Sequence, residues 1–479
     1  MLFHGPVRVP DNAAVATATA TLSFDGWKGA AVAPTIHSVT VRPRRSAPVP
    51  EPVARSLIAS LPLDPPLGGS WNVAFFPDGS RLWASCYPFG TVQIWDALSH
   101  REIHRIAPPP GYGTAGAYAT ADYALPSADW KTLYIPVEKR TNRRVERDGK
   151  KSLQVDYAGF IRVWDVAAGK DRGLLRPADG AAPAQVRLDP GGRFLVCVEQ
   201  LGHEATDAPQ GPTEATVVWD LATGAKSKLC DGALIPGFAG DGRTGLSFGP
   251  EGKSVLSALN DYRHKTSTIK VLAVPGGEQL VRLDSPEKGR YFYAGPTSPD
   301  GSLIAVYVAG KPEDAQEVLF LKARALDEYG KVSLGKPDPE QYGWGNGQFG
   351  LFTADGKHFL ALADGQLLVW DVAGRRLQRT IPVGDWWRRR LALSPDGKTL
   401  AVAWMPKDRD LESELKSGAR ADQKEFPQPR ISLIDLAGDA APRTLMAPHG
   451  RVCGLAFSPA GNLLAFAGGD AVHLFDLRK

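Results

Sequence analysis

Two short stretches of this chain carry the spelling of catalytic or cofactor motifs. Gly245-Leu246-Ser247-Phe248-Gly249 fits the nucleophile-elbow pattern, in which a serine is exposed at a sharp strand-to-helix turn. Here the serine lies in an apolar strand that runs straight into Gly249-Pro250-Glu251-Gly252, a turn followed by another strand, so no nucleophile is expected. Gly345-Asn346-Gly347-Gln348-Phe349-Gly350 matches the dinucleotide fingerprint, which works only where a helix N-terminus receives the pyrophosphate. Leu351-Phe352-Thr353 reads as a strand, so no cofactor is expected. The nine histidines are scattered. The four cysteines, Cys86, Cys197, Cys230 and Cys453, form no Cys-x-x-Cys pair; they read as buried thiols, with neither a metal site nor a disulfide framework.

The elements that would hold any site follow from the bulk properties and the periodicity. The chain has 479 residues, 43% hydrophobic and 23% charged, which places it among folded globular proteins. A net charge of +4 is small for this length and argues against a protein built to grip nucleic acid. No apolar run approaches the ~18 residues of a membrane span. Met1 to Pro6 shows neither the basic nor the apolar part of a signal peptide. The expectation is a cytoplasmic protein, or an exported one if a longer reading frame precedes Met1.

One phrase recurs: an apolar strand, a tight turn, a second apolar strand. Its turns are Phe76-Pro77-Asp78-Gly79, Pro126-Ser127-Ala128-Asp129, Asp189-Pro190-Gly191-Gly192, Gly249-Pro250-Glu251-Gly252, Ser298-Pro299-Asp300-Gly301, Thr353-Ala354-Asp355-Gly356, Ser394-Pro395-Asp396-Gly397 and Ser458-Pro459-Ala460-Gly461. Proline presets φ, Asp bonds its own backbone, and Gly takes the positive φ that closes the hairpin. A second phrase follows each: Ile94-Trp95-Asp96, Val163-Trp164-Asp165, Val218-Trp219-Asp220 and Val369-Trp370-Asp371, with weaker copies at Ile434-Asp435 and Phe475-Asp476. Units four and five keep only the strand, Ile269–Leu272 and Val318–Leu321.

In these Trp-Asp dipeptides the chain resembles the WD40 family over residues 56 to 479. The resemblance implies an all-β fold, a β-propeller of four-stranded antiparallel blades around a central channel. Eight blades are expected, or seven if unit four or five is absorbed elsewhere. The family's Gly-His signature is largely absent, so its buried His-Ser-Asp-Trp network is not expected in most blades. The last unit stops after its third strand, and Ser56–Leu61 is expected to supply the fourth and close the ring, removing an open edge.

Residues 1–41 do not match the repeat. Val15–Phe24 and Ile36–Val41 alternate with period two and read as strands. They resemble the end of an immunoglobulin-like domain, or form a small β appendage, joined to the propeller by a linker over 42–55.

With strands labelled a to d in each blade, the d–a and b–c connections share one face. The a–b turns are short, and the long insertions fall between b and c, at Lys139–Asp156, Glu199–Glu214, Asn260–Thr266 and Met405–Pro429. Loops longer than ~12–15 residues are commonly functional or disordered. Lys139 to Lys151 is strongly basic and reads as a solvated loop or as a contact for an acidic partner. Leu411–Lys416 has the pattern of a short helix. Trp386, Trp387 and Arg388 lead into strand a of unit seven, and Trp71, Tyr112, Trp344, His449 and Arg451 hold equivalent places. Trp and Arg dominate interface hot spots. The expectation is a monomeric, non-catalytic scaffold without cofactor that binds protein or peptide through these residues. The alternative is a lactonase- or dehydrogenase-like propeller enzyme with its site at the channel mouth.

Overall fold

A computed structural model of the chain describes residues 16–19, 38–41, 56–64, 70–87, 91–113, 124–147, 150–189, 191–205, 214–231, 246–248, 253–261, 265–310, 316–335, 350–363, 365–383, 387–405, 428–438, 440–448, 452–468 and 471–478. The chain divides into two compact units, 1–51 and 52–479. In the first, Ala16–Thr19 pairs antiparallel with Ser38–Val41. The expected short helix at Leu411–Lys416 lies outside the described residues.

The second unit is a ring of eight blades, each a sheet in the order a-b-c-d. Strands a run Ser70–Phe75, Leu125–Pro126, Ala181–Leu188, Leu246–Phe248, Tyr291–Thr297, Gly350–Phe352, Trp387–Leu393 and Val452–Phe457 in blades 1 to 8. Units four and five are therefore full blades. Blade 8 is completed by Leu57–Pro62 lying against Ala471–Asp476, the closure expected from the ends of the repeat.

The core lies between blades. Among the described residues eight apolar clusters are present, and each joins two neighbouring blades, one of them joining blade 8 to blade 1. Strands b and c are buried on both faces, so successive residues serve opposite interfaces: Leu400 and Val402 pack toward blade 6, Ala401 and Ala403 toward blade 8. The Trp-Asp tryptophans belong to these clusters. Trp370 is 1% exposed and stacks on Phe320 of blade 5 at 4.2 Å and 12°.

The turns behave as their residues dictate. In the seven blades whose a–b turn is described, the turn carries the same backbone bond, as in Gly301 N–H to Ser298 C=O (2.8 Å) and Gly397 N–H to Ser394 C=O (2.9 Å); the expected turn over 249–252 lies outside the described residues. Ser298 Oγ donates to Asp300 Oδ1 (2.6 Å) and accepts from the N–H of Leu303 (2.9 Å); Thr353–Asp355 and Ser394–Asp396 repeat the pattern. In blade 2 the turn is Ser127–Trp130, one residue later than the repeat suggests. Trp130 takes the glycine place at φ 57° and packs on Phe76 of blade 1 at 5.0 Å.

The aspartate after the tryptophan caps the c–d turn: Asp96 Oδ1 accepts from the N–H groups of Leu98 and Ser99 (3.1 and 2.7 Å). Four residues after that aspartate the chain takes positive φ, at His100, Gly169, Gly224 and Arg375, and it does so at Gly277 and Leu326 in blades 4 and 5, where Ala273 and Lys322 stand in its place. Ser247 lies in a strand paired with Val255–Ser257, with no helix among the described residues around it.

Candidate interaction face

Because strands alternate in direction, the ring has a turn face, made of a–b and c–d connections, and an insertion face, made of b–c and d–a connections. The carboxylates of the turn face are committed to holding the backbone. Asp300 is held below its ordinary pKa by hydrogen bonds from the Ser298 hydroxyl, then from the N–H and hydroxyl of Ser302. Asp355 and Asp396 are lowered in the same way, by Thr353 and Lys357 N–H and by Ser394 and Lys398 N–H. A cleft of about 420 Å³ opens there between blades 7 and 8, beside Asp396 and Arg443. Its polar groups are also engaged: Arg443 bonds the C=O of Leu477 (3.1 Å) and Ser56 Oγ (3.0 Å).

The insertion face is built differently. In blade 2 strands b and c run on as a sixteen-residue pair, Thr132–Arg147 against Lys150–Asp165, in unbroken register from Asp165↔Thr132 to Lys150↔Arg147. The basic segment expected as a loop is thus a regular hairpin that projects from the ring. Its base is pinned by a bridge between Gly113 and Glu138, each donating its N–H to the other's C=O (2.8 and 2.9 Å). His203–Ala205, from the blade 3 insertion, adds as a short antiparallel strand along Leu153–Val155. A three-stranded platform therefore joins the insertions of two blades. On it Arg143 binds Asp156 (2.7–2.8 Å), which together with Gln154 holds the Asp156 carboxyl low.

Of the eight residues expected to contact a partner, Tyr112 has a described side chain. It is half-buried beside the hairpin base and packs on Phe160 at 5.4 Å, with Arg176 over the other ring at 5.8 Å. Trp71 opens strand a of blade 1 opposite Cys86, and Trp387 and Arg388 open strand a of blade 7 with Trp387 opposite Met405. Trp344, Trp386, His449 and Arg451 lie outside the described residues. Trp404 and Arg430, which are not among the expected contact residues, stand beside Trp387 at the same edge of blade 7. Trp404 Nε1 donates to Ser432 Oγ (2.9 Å), and the Arg430 guanidinium lies 5.3 Å over its ring. The available signal was position: both flank the Met405–Pro429 insertion.

His100 and His104, four residues apart, were also passed over as a pair. His100 sits in the c–d turn and His104 in the next strand, edge-on to Trp164 at 6.4 Å, so no helix brings them to one face. Cys197 and Cys453 are buried and Cys230 is half-buried. No group of three or more His, Cys, Asp or Glu with metal-site geometry occurs among the described residues. No helix among them is long and apolar enough to cross a membrane.

The C-terminal WD40 domain of Sif2 superposes with a TM-score of 0.52 at 12% identity, over 88% of this chain and 97% of that domain. The chain has the WD40 β-propeller fold. A chain of the mitotic checkpoint complex (TM-score 0.43, 14% identity, 77% of this chain and 91% of that one) and one of Kuenenia stuttgartiensis hydrazine synthase (0.43, 13%, 86% and 96%) are more distant. No family model matches the WD40-like sequence, and no curated protein matches it.

Proposed function

We propose that this WD40-fold protein is a non-catalytic interaction scaffold that binds a protein or peptide on its insertion face. The observation that carries this reading is the asymmetry between the two faces. Turns on one side are short, repeated and internally hydrogen-bonded, whereas the other side carries the projecting hairpin, the strand exchanged between blades and the Trp–Arg cluster of blade 7. Trp71, Tyr112, Trp344, Trp386, Trp387, Arg388, His449 and Arg451 form the proposed contact set, with Trp404 and Arg430 added to it. Fold likeness supports a binding role only by analogy. Residues 1–41 are, on this reading, an appendage or immunoglobulin-like remnant joined through 42–55.

The test compares two folded variants in affinity capture with chemical cross-linking: Trp386→Ala/Trp387→Ala/Arg388→Ala on the insertion face, and Lys131→Ala/Lys357→Ala/Lys398→Ala on the turn face. Partners cross-linked by the intact protein should be lost with the first and kept with the second. The reverse pattern, or equal retention by both, refutes the assignment of the face.

A further inference from the structure

We propose that the outer edge of the blade 2 hairpin, Arg140 to Glu146, takes an acidic peptide in extended conformation as an added β-strand. The proposal deepens the insertion-face reading and rests on it. It follows from an account of the backbone bonds. Glu138 directs its N–H and C=O outward, to Gly113. The ladder to Lys150–Asp165 continues without a bulge. The period of two therefore turns the N–H and C=O of Arg140, Asn142, Arg144 and Glu146 to the same outer side. Among the described residues nothing pairs with that side beyond Glu138. The opposite edge of the hairpin is already used in this manner, since His203–Ala205 adds to it at Leu153–Val155. The free edge is held ready by the Gly113 bridge at its base, and all four residues are exposed.

Charge selects the occupant. From Lys139 to Arg147 the strand carries Lys139, Arg140, Arg143, Arg144 and Arg147 against one acid, Glu146, the strand's other acid, Glu138, being buried at its base. Arg143 is engaged by Asp156 and Arg140 by Asn142 Oδ1 (3.2 Å); Lys139 and Arg144 have no ion-pair partner among the described residues. Cations on an exposed edge keep two copies of a chain from pairing edge to edge, and the same cations attract a strand that carries Asp or Glu. Strand addition takes affinity from the main chain and specificity from alternate side chains. A single-stranded nucleic acid fits less well: no aromatic residue between Lys139 and Lys151 offers a base a stacking surface.

The probe is a labelled eight-residue peptide alternating Glu with Val, titrated against the full chain by fluorescence anisotropy. The intact protein should bind it in a salt-sensitive manner. Arg140→Glu/Arg144→Glu should weaken binding by about tenfold or more. Asn142→Pro removes an outward N–H and no bond of the backbone ladder, and beyond that only the exposed contact of Arg140 with Asn142 Oδ1, so the protein should melt nearly as before and lose the peptide. A peptide N-methylated at every second residue should also fail. Absence of binding to the intact protein, unchanged binding by Asn142→Pro, or an oligouridylate of equal charge binding as tightly would each overturn the proposal. The blade 7 triple variant separates the two readings. It should still bind the peptide, and if the peptide fails while that variant loses its cross-linked partners, only the strand-addition inference falls.

Discussion

Gln93→Met should loosen the seam where the ring closes. Gln93 is fully buried on strand c of blade 1 and ties that blade to the chain leaving the closing strand. Its Oε1 accepts from the N–H of Asp64 (2.8 Å), and its Nε2 donates to Glu102 Oε2 (2.7 Å) and, more weakly, to the C=O of Pro62 (3.3 Å). Arg105 binds both Asp64 and Glu102 and completes the network. Methionine keeps the length and shape of glutamine, so packing changes little. A neutral hydrogen bond contributes about 1 kcal/mol and one to a charged group about 1.5–3. Asp64 and Glu102 reach solvent, so water takes over part of what is lost, and the net cost should be about 2–3 kcal/mol. Urea denaturation followed by tryptophan fluorescence measures the total, and hydrogen exchange of Leu57–Pro62 shows whether the loss is local. Gln366→Met, at an exposed position on strand c of blade 6, should stay within about 0.5 kcal/mol. A Gln93→Met cost no larger than that control, or unchanged exchange in the closing strand, refutes the reasoning.

Acid should weaken the turn face. Asp300, Asp355 and Asp396 are all held below their ordinary pKa, first by the neighbouring Ser or Thr hydroxyl. A carboxylate lowered in the folded state contributes stability that is present above its unfolded pKa of ~3.9 and is lost as pH falls through the folded value. Denaturation midpoints between pH 3 and 6 should therefore fall less steeply in Asp300→Asn/Asp355→Asn/Asp396→Asn than in the intact protein; parallel profiles would show that these groups do not set the acid limit. Two glycines with the same backbone should answer differently to alanine. Gly224 (φ 74°) has open space around it, and its substitution should cost about 1 kcal/mol of strain. At Gly277 (φ 75°) the new Cβ would lie 2.4 Å from the Leu229 carbonyl oxygen, so the backbone must shift and the loss should exceed about 3 kcal/mol. Equal thermal shifts for the two variants would sink this account.

The ring was legible because its signals are local. A turn of the Ser-Pro-Asp-Gly kind is specified wherever it occurs, and eight related turns, each between two apolar strands, leave little besides a propeller. The closing strand was legible because the last unit lacked an outer strand and Ser56–Leu61 could supply one. The hairpin was not. Lys139 to Lys151 has no alternation of apolar and polar residues, and its strand character comes from continuing a ladder begun by Leu133–Val137 and Phe160–Val163. The addition of His203–Ala205 depends on a neighbouring blade, which no local pattern encodes. Trp130 and Leu326 at positive φ were likewise hidden: Phe76 holds the first, and burial in the cluster between blades 4 and 5 holds the second. The contact residues were read from their place in the repeat, and for Tyr112 the structure adds a packing role on Phe160.

The closing pair also sets an order of assembly during biosynthesis. Ser60 and His473, which share a hydrogen bond, are 413 residues apart. At ~5–20 residues per second a ribosome needs about 20 to 80 s to travel that distance. Throughout that interval the strand Leu57–Pro62 has been made and its partner has not. Until then the ring has an edge at blade 1 and an edge at blade 8 with nothing to join them. Ala471–Asp476 is the last strand of the ring in chain order, so the ring cannot close before it has been made, however early the closing strand Leu57–Pro62 is available.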